Sequence, residues 1–271
     1  DFNRSGVPLV EVVTEPDFTD SSQIRDYAKK LQQIFRYMGV SNADMEKGDM
    51  RLEANVSVRE VGSEKWEVGK SELPNYRVEL KNINSFRFMV AAVEYEIKRQ
   101  IEAIGKGEKL TQETRGWDED KKQTFLQRSK EEANDYRYFP EPDLPRIKNN
   151  ESGIMAIKTG LPELPMVKIE RYISEYGISK KVAETLVSEE SLAELFDGAV
   201  KLGLEEKVEV KDIANFLANQ KIDPQKTSPD EVVQAVKEKK SGKIEDESEL
   251  SKIAEEVIKE NEKSVSDYKS G

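Results

Sequence analysis

Apolar and polar positions alternate strictly in two short stretches of the chain. In Arg51–Arg59, Leu52, Ala54, Val56 and Val58 point one way and Arg51, Glu53, Asn55, Ser57 and Arg59 the other. In Arg77–Lys81, Val78 and Leu80 oppose Arg77, Glu79 and Lys81. A period of two is that of a strand with one covered and one open face, so both stretches predict strands. A third stretch, Val7–Thr14, is β-branched or apolar on both faces, the pattern of a strand covered on two sides. Glu11 alone breaks it.

Elsewhere the spacing is helical. Ile24, Tyr27, Ala28, Leu31, Ile34, Phe35 and Met38 form one stripe, with Ser21 or Ser22 as the cap and Gly39 as the stop. A second helix starts at Asn84 or Ser85, carries Phe86, Val90, Val93, Ile97 and Ile101 on one face, and ends at Gly105. Lys109–Arg115 and Lys122–Arg128 read as a hairpin turning at Asp118-Glu119-Asp120, with Trp117 at its rim. The run from Asn134 to Pro145, aromatic and broken by three prolines, reads as a rigid extended loop. Near Asn149–Gly153 the pattern changes. Leu164-Pro165 opens a helix that stops at Gly177, and further helices are expected near 179–187, 189–202 and 210–220. Ser228-Pro229-Asp230-Glu231 is a strong helix start, and Glu245–Asn261 reads as a last helix behind a Lys-rich connector, Lys237–Lys243. The expectation is an α+β protein: a sheet-based domain over 1–150, then an all-helical domain over 151–271.

Composition narrows the chemistry. With 271 residues, two domains fit the usual size prior. There is no Cys and no His, which excludes disulfides, Cys or His metal sites and His-dependent triads within this sequence. Any chemistry must use carboxylates, Lys, Arg, Asn, Tyr or a hard cation held by oxygens. The formal charge of −11 argues against nucleic-acid binding by the average field, though not by a local basic patch. No apolar run approaches the roughly 20 residues of a membrane span. The chain opens on Asp1 and ends at Gly271 without a capped element, so it reads as a piece of a longer protein.

A carboxylate in mid-strand loses its hydration and needs a proton, a cation or hydrogen bonds. Glu11 is therefore either a strand-end residue facing water or a metal or catalytic group in a cleft. The polar end of the second alternating strand, Lys81-Asn82-Ile83-Asn84-Ser85, feeds a helix N-terminus, whose free N–H groups suit an anion. The plain alternative is a helix cap.

Taken together, DFNRSGVPLVEVVTEPD, MRLEANVSVR, VELKNINSFRF, QETRGWDEDKKQT and SKEEANDYRYFPEPDLP resemble the GatB family, the B subunits of the aspartyl/glutamyl-tRNA(Asn/Gln) amidotransferases. They occur in that family's order and spacing over about residues 1–147, with LPELPMVKIERY continuing at 161–172. The resemblance implies a cradle-like catalytic domain followed by a helical domain and a tRNA-gripping tail. It implies ATP- and Mg²⁺-dependent phosphorylation of the side-chain carboxylate of Glu or Asp mischarged on tRNA. Ammonia from a separate glutaminase subunit then displaces the phosphate, with a small third subunit completing the assembly. It places Glu11 at the metal, with Glu53 as a second expected ligand and others, a His among them, upstream. Lys81, Asp135 and Arg137 become expected catalytic residues, and Asn82, Asn84 and Arg115 expected ATP-binding ones. A bacterial, cytoplasmic protein follows, an organellar copy needing a transit peptide. Leu52 departs from the family's Cys at that point, and between about Lys240 and Glu247 the chain is shorter than many relatives.

Two other readings remain: a docking scaffold for tRNA and the glutaminase without chemistry of its own, and a divergent Mg²⁺-binding protein using the cradle for another ligand. The expected geometry is a recessed Glu11 and one cleft shared by the polar faces of both alternating strands. In the helical half, Ile169, Tyr172, Ile173, Leu192, Leu195, Phe196, Ile213, Phe216 and Leu217 should bury one another, and Lys237, Lys239, Lys240 and Lys243 should reach tRNA.

Overall fold

The computed structural model describes residues 6–60, 73–129, 145–146, 148–241, 251 and 257–261. It divides into two compact units, Asp1–Pro162 and Glu163–Gly271. The division lies beyond the expected boundary because Glu151–Gly160 is a helix (α3) that clusters with the first unit.

The first unit is a four-stranded sheet with helices. Helix α1 spans Ser21–Tyr37. Its cap is Asp20, not the serines: the Asp20 carboxylate accepts from the Ser22 N–H at 2.7 Å, and the Gln23 side chain accepts from the Asp20 N–H at 3.1 Å. This reciprocal pair satisfies two orphan donors of the first turn. Strands β1 (Leu52–Val56), β2 (Val78–Ile83), β3 (Glu113–Asp118) and β4 (Gln123–Ser129) lie in the order β1-β2-β3-β4. The β1–β2 and β3–β4 pairs are antiparallel and β2–β3 is parallel. A parallel pair needs a crossover, and helix α2 (Phe86–Gly105) provides it. Ser85 caps α2, accepting from the Phe88 N–H at 3.4 Å.

One face of the sheet packs on α2. Val56, Val78, Leu80 and Ile83 meet Met89, Ala92 and Val93, with Ile97 and Trp117 at the edge. The buried stripe of α2 is rotated from the expected one: Met89, Ala92, Val93, Glu96, Gln100 and Ala103 are buried, while Ile101 is 54% exposed. Trp117, expected at a rim, is half-buried at the edge of this core. It packs against this core and edge-on to Tyr95, 6.3 Å away.

The largest difference from expectation is Val7–Thr14. It forms no strand, and Glu11 is exposed with the rest of 6–20, so the expected recessed Glu11 is not what the structure shows. The reason is physical. A strand needs a neighbour for its N–H and C=O groups and cover for its apolar faces. Among the described residues none lies alongside, and Leu9 and Val13 are 90% and 80% exposed.

The second unit is helical: α4 (Pro165–Tyr176), α5 (Lys180–Leu186), α6 (Glu190–Glu205), α7 (Val210–Asn219) and α8 (Pro229–Ser241). Pro165 at the first turn starts α4 and Gly177, in the left-handed region at φ 61°, ends it. Tyr172, Leu195, Phe196, Ile213 and Leu217 are buried as expected, with Tyr172 packed edge-on to Phe196 at 4.8 Å. Each such side chain contributes about 1.5–3 kcal/mol by leaving water. Ile169, Leu192 and Phe216 are only half-buried, and Ile173 is 37% exposed. Arg171 reaches Glu163 at 2.8 Å and Asp197 at 3.1 Å, and Lys168 reaches Asp197 at 2.5 Å, tying α4 to α6. Hydrogen bonding from Arg171 holds the Glu163 carboxyl below its ordinary pKa. Residues 237–241 of the expected Lys-rich connector are helix instead. Lys237 pairs with Glu206, Lys240 with Asp212 at 3.3 Å, and Lys239 lies over the Phe216 ring. Lys243 and most of Glu245–Asn261 lie outside the described residues, of which 257–260 are helical. No described helix is long and apolar enough to cross a membrane.

Two glycines make opposite predictions. A Cβ at Gly203 in α6 would sit 2.5 Å from Cδ1 of Ile213, a fully buried side chain with nowhere to go, whereas one at Gly105 would meet nothing. Gly105→Ala should gain about 0.5–1 kcal/mol from helix propensity. Gly203→Ala should lose about 1–2 kcal/mol net, overpacking exceeding that gain. Urea midpoints of the two variants check this, and an unchanged or raised midpoint for Gly203→Ala would remove the packing argument.

Candidate functional site

The alternation on β1 and β2 leaves Glu53, Glu79 and Lys81 on the face of the sheet away from α2. There the Lys81 ammonium lies 3.3 Å from Glu53 and 3.1 Å from Glu79. Thr114, opposite Glu79 on β3, donates its hydroxyl to that carboxylate at 3.0 Å. Glu53 and Lys81 therefore share one side, as the alternation predicts. Partial burial pulls the Lys81 pKa down, but the hydrogen bond to Glu79 and the charges of Glu53 and Glu79 outweigh it, so the pKa lies above the ordinary lysine value. Lys81 is a fixed cation at neutral pH.

At its C-terminal end β2 runs through Asn84 and Ser85 into α2. There an open groove of about 520 Å³ lies between α1, the loop around Met45 and the first turn of α2. Arg25 and Lys29 contribute from α1, and Asn84, Phe86 and Arg87 from the start of α2.

The opposite, helix-covered face carries a second polar cluster. Glu96 is fully buried on α2. Its carboxylate accepts from Arg99 at 2.6 Å, Gln100 at 2.8 Å and Thr124 at 3.0 Å, with Arg115 3.5 Å away. Arg115 also donates to Glu113 at 2.9 Å and to the Thr124 hydroxyl at 3.0 Å. Gln100 extends the network to the Val56 carbonyl and to the Tyr76 hydroxyl, which donates to the Val58 carbonyl at 2.7 Å.

The structure thus brings Glu53 and Lys81 together and puts Asn84 at the neighbouring groove. It separates Arg115, which the β2–β3 register pairs with Leu80 on the α2 side, from Lys81. Arg115 was expected beside the nucleotide. It is held in the buried Glu96 cluster because odd positions of β3 face the helix. Glu11 is exposed in the unpaired segment. Asn82 lies on β2, but its side chain is outside the described residues, as are Asp135 and Arg137 altogether. Sequence reasoning missed Glu79, Thr114 and the Glu96 cluster. The signal for the cluster was present: Glu96 and Gln100 fall at helical spacing with Met89 and Val93.

Whether these residues suit Mg²⁺ is a question of donors. Mg²⁺ is usually held by one or two carboxylates plus water and phosphate oxygens. Glu53 and Glu79, both within reach of one ammonium, are such a pair, so the open face fits a hard cation in kind. Among the described residues no three carboxylates gather into a complete metal site.

Comparison with known proteins adds the following. Residues 1–155 match the model of the GatB/GatE catalytic domain and residues 158–271 that of the GatB domain. The B subunit of the aspartyl/glutamyl-tRNA(Asn/Gln) amidotransferase of Thermodesulfovibrio yellowstonii is 51% identical over 217 residues, 80% of this chain and 43% of the relative. Its counterpart in Caldicellulosiruptor saccharolyticus is 39% identical over 311 residues, covering 100% of this chain and 63% of its own length. That of Thermotoga maritima is 38% identical over 312 residues, covering 100% of the chain and 62% of the relative. The chain thus spans 43% to 63% of the length of these curated relatives.

Proposed function

The chain belongs to the GatB family, and on that premise we propose that it is part of the component of a tRNA-dependent amidotransferase that activates the side-chain carboxylate of a mischarged aminoacyl-tRNA. The observation that supports this most is the match of both GatB domains in order, together with a chemistry-bearing face on the first of them. In this reading the carboxylate of Glu-tRNA(Gln) or Asp-tRNA(Asn) takes the terminal phosphoryl group of ATP, leaving ADP. Ammonia from the glutaminase subunit then forms the amide and releases phosphate. A small third subunit completes the assembly.

The chain's own residues have defined tasks in that scheme. Phosphoryl transfer depends on positioning and on stabilising negative charge, so the absence of His is no obstacle. Lys81, permanently charged, neutralises phosphate oxygens. Thr114 fixes Glu79, and Glu79 with Glu53 orients the Lys81 ammonium. Bound Mg²⁺ would be held by Glu53 and Glu79 and would supply charge neutralisation at the phosphates. Asp135, Arg137 and Asn82 stay as proposed contributors on the strength of their sequence motifs, and Glu11 as a proposed metal ligand of the complete enzyme. Lys237, Lys239, Lys240 and Lys243 stay as proposed tRNA contacts; Lys237 and Lys240 already pair with Glu206 and Asp212, so tRNA phosphates would have to exchange with those carboxylates.

The test is ATP-dependent amidation of mischarged tRNA by the full-length protein assembled with its glutaminase and small subunits. Formation of Gln-tRNA(Gln) or Asn-tRNA(Asn) with matching ADP release supports the reading. Tight binding of tRNA and of the glutaminase with no ADP release would replace it by the docking-scaffold alternative.

A further inference from the structure

The face of the sheet away from α2 is covered unevenly. The side chain of Glu53 on β1 is 48% exposed, those of Lys81 and Glu79 on β2 are 33% and 14% exposed, and Thr114 and Gly116 on β3 are buried. Cover at Gly116 comes from β4. A Cβ at Gly116 would sit 2.5 Å from Nε2 of Gln127 and 2.7 and 2.9 Å from Cζ and Cε1 of Phe125, so both side chains lie across the bare strand there. A side chain at 116 would displace them, and glycine in a strand interior marks such a close approach. Phe125 is the cross-strand partner of Gly116. Gln127 is the extra residue of a bulge, since Thr114 pairs with Arg128 but Arg115 with Leu126. A bulge re-aims a side chain, and here it turns the Gln127 amide onto the same face as Phe125. On the other flank, Glu79 pairs with Thr114 and Leu80 with Arg115. Continued by one residue, that register sets Lys81 level with Gly116. The Phe125 ring therefore stands beside Lys81, on the side away from Glu53.

The strand that carries this ring is pinned from behind. Thr124 precedes Phe125 and points to the α2 side, where its hydroxyl donates to Glu96 and accepts from Arg115, both at 3.0 Å. An aromatic ring folded over a strand glycine can serve packing alone. Its place beside the one lysine of the cluster gives it a second consequence. An acyl phosphate held by Lys81 has two fates. Ammonia attacks the carbonyl carbon, the bond to the phosphate oxygen breaks, nitrogen loses a proton, and amide and phosphate result. Water attacking the same carbon returns the carboxylate and phosphate, and the ATP is consumed with no amide formed. A site that carries such an intermediate needs water kept off it. We propose that Phe125 is a positioning residue which, with Gln127, walls the Lys81 cluster on its β4 side and keeps water from the acyl phosphate. The inference rests on the proposed function and adds a determinant of its coupling. The way into the cluster is then from the β1 side, past the more exposed Glu53.

The experiment uses the full-length protein in its assembled complex, with mischarged tRNA, ATP and glutamine, and counts ADP released per amide formed. Phe125→Ala removes the ring. Gly116→Ala keeps the ring and displaces it. Phe125→Leu keeps apolar bulk. Leu126→Ala is the control: it removes an exposed apolar side chain from the same strand on the opposite face, level with Arg115. The ADP-to-amide ratio should rise about threefold or more in Phe125→Ala and Gly116→Ala, return towards the parent value in Phe125→Leu, and stay at it in Leu126→Ala. A packing role alone would lower the melting temperature and both products together, leaving the ratio where it was. A parent-like ratio in whichever of Phe125→Ala and Gly116→Ala folds overturns the inference, and so does an equal rise in Leu126→Ala. If the parent complex amidates while the variants keep its ratio, the inference alone falls. If the parent complex forms no amide, the proposed function falls and takes the inference with it.

Discussion

Glu96→Ala should lower the stability of the first unit by about 3–5 kcal/mol, the largest effect of any single change considered for this fold. The carboxylate is fully buried and is hydrogen-bonded by Arg99, Gln100 and Thr124. Removing it leaves the Arg99 and Arg115 guanidinium groups, only 24% and 13% exposed, close together with Glu113 as their one remaining counter-charge in the cluster. Burial alone lowers the Arg99 pKa. The Glu96 hydrogen bond and the charges of Glu96 and Glu113 outweigh burial and keep it raised. Without Glu96, little but the charge of Glu113 opposes the burial cost. Glu96→Gln keeps the shape and part of the hydrogen bonding and should lose less. Urea unfolding followed by tryptophan fluorescence isolates the effect, because the sequence of the second unit, Glu163–Gly271, contains no Trp and Trp117 packs against the core of the first. A Glu96→Ala midpoint equal to that of the parent protein would show that the cluster does not anchor α2 to the sheet.

Lys81→Met in the full-length enzyme should cut acyl-phosphate formation by about 10²–10³-fold, the usual loss when one charge-stabilising group is removed from a preorganised site. The methylene stem is replaced by one of similar length, so the change removes charge more than volume. It also frees Glu53 and Glu79 to repel each other across the position the ammonium held. Lys81→Arg keeps the charge and should recover part of the rate. Glutaminase activity of the complex should be unaffected, which separates a lesion at this face from failure to assemble. If Lys81→Met forms acyl phosphate within about threefold of the parent rate, Lys81 is a surface ion pair and no more, since such pairs contribute little of any kind.

Much of this could be read from the residues. The alternation in β1 and β2 fixed which side chains share a face, and that was enough to bring Glu53 to Lys81. Caps and stops placed the starts of the helices of the second unit to within a residue or two, while α6 runs three residues past its expected end and α8 into the expected connector: Pro165, Gly177 and Ser228 act through backbone geometry that is local and so visible in one dimension. What was not legible depended on neighbours. Val7–Thr14 has a strand's composition, but a strand exists only where another backbone lies beside it. Arg115 sits in a motif with candidate site residues, yet the register of β3 against β2 sends it to the other face. The stripe on α2 was misplaced because its buried positions include Glu96 and Gln100, which hydrophobicity alone rejects and a completed hydrogen-bond network accepts.

The bare segment at 7–13 has a consequence for how this chain behaves in concentrated solution. Val7, Leu9, Val10, Val12 and Val13 are all exposed, in a stretch whose backbone groups pair with no strand among the described residues. Such a run is a template for cross-β stacking between copies, the hazard of any uncovered, β-prone hexapeptide. Two residues oppose it. Pro8 withholds one amide hydrogen, and Glu11 would be forced to stack on its own image along a growing fibril, like charge on like charge at about 4.8 Å. An acid first noticed as an interruption in an apolar strand is thus also a residue whose charge opposes stacking of copies through this stretch.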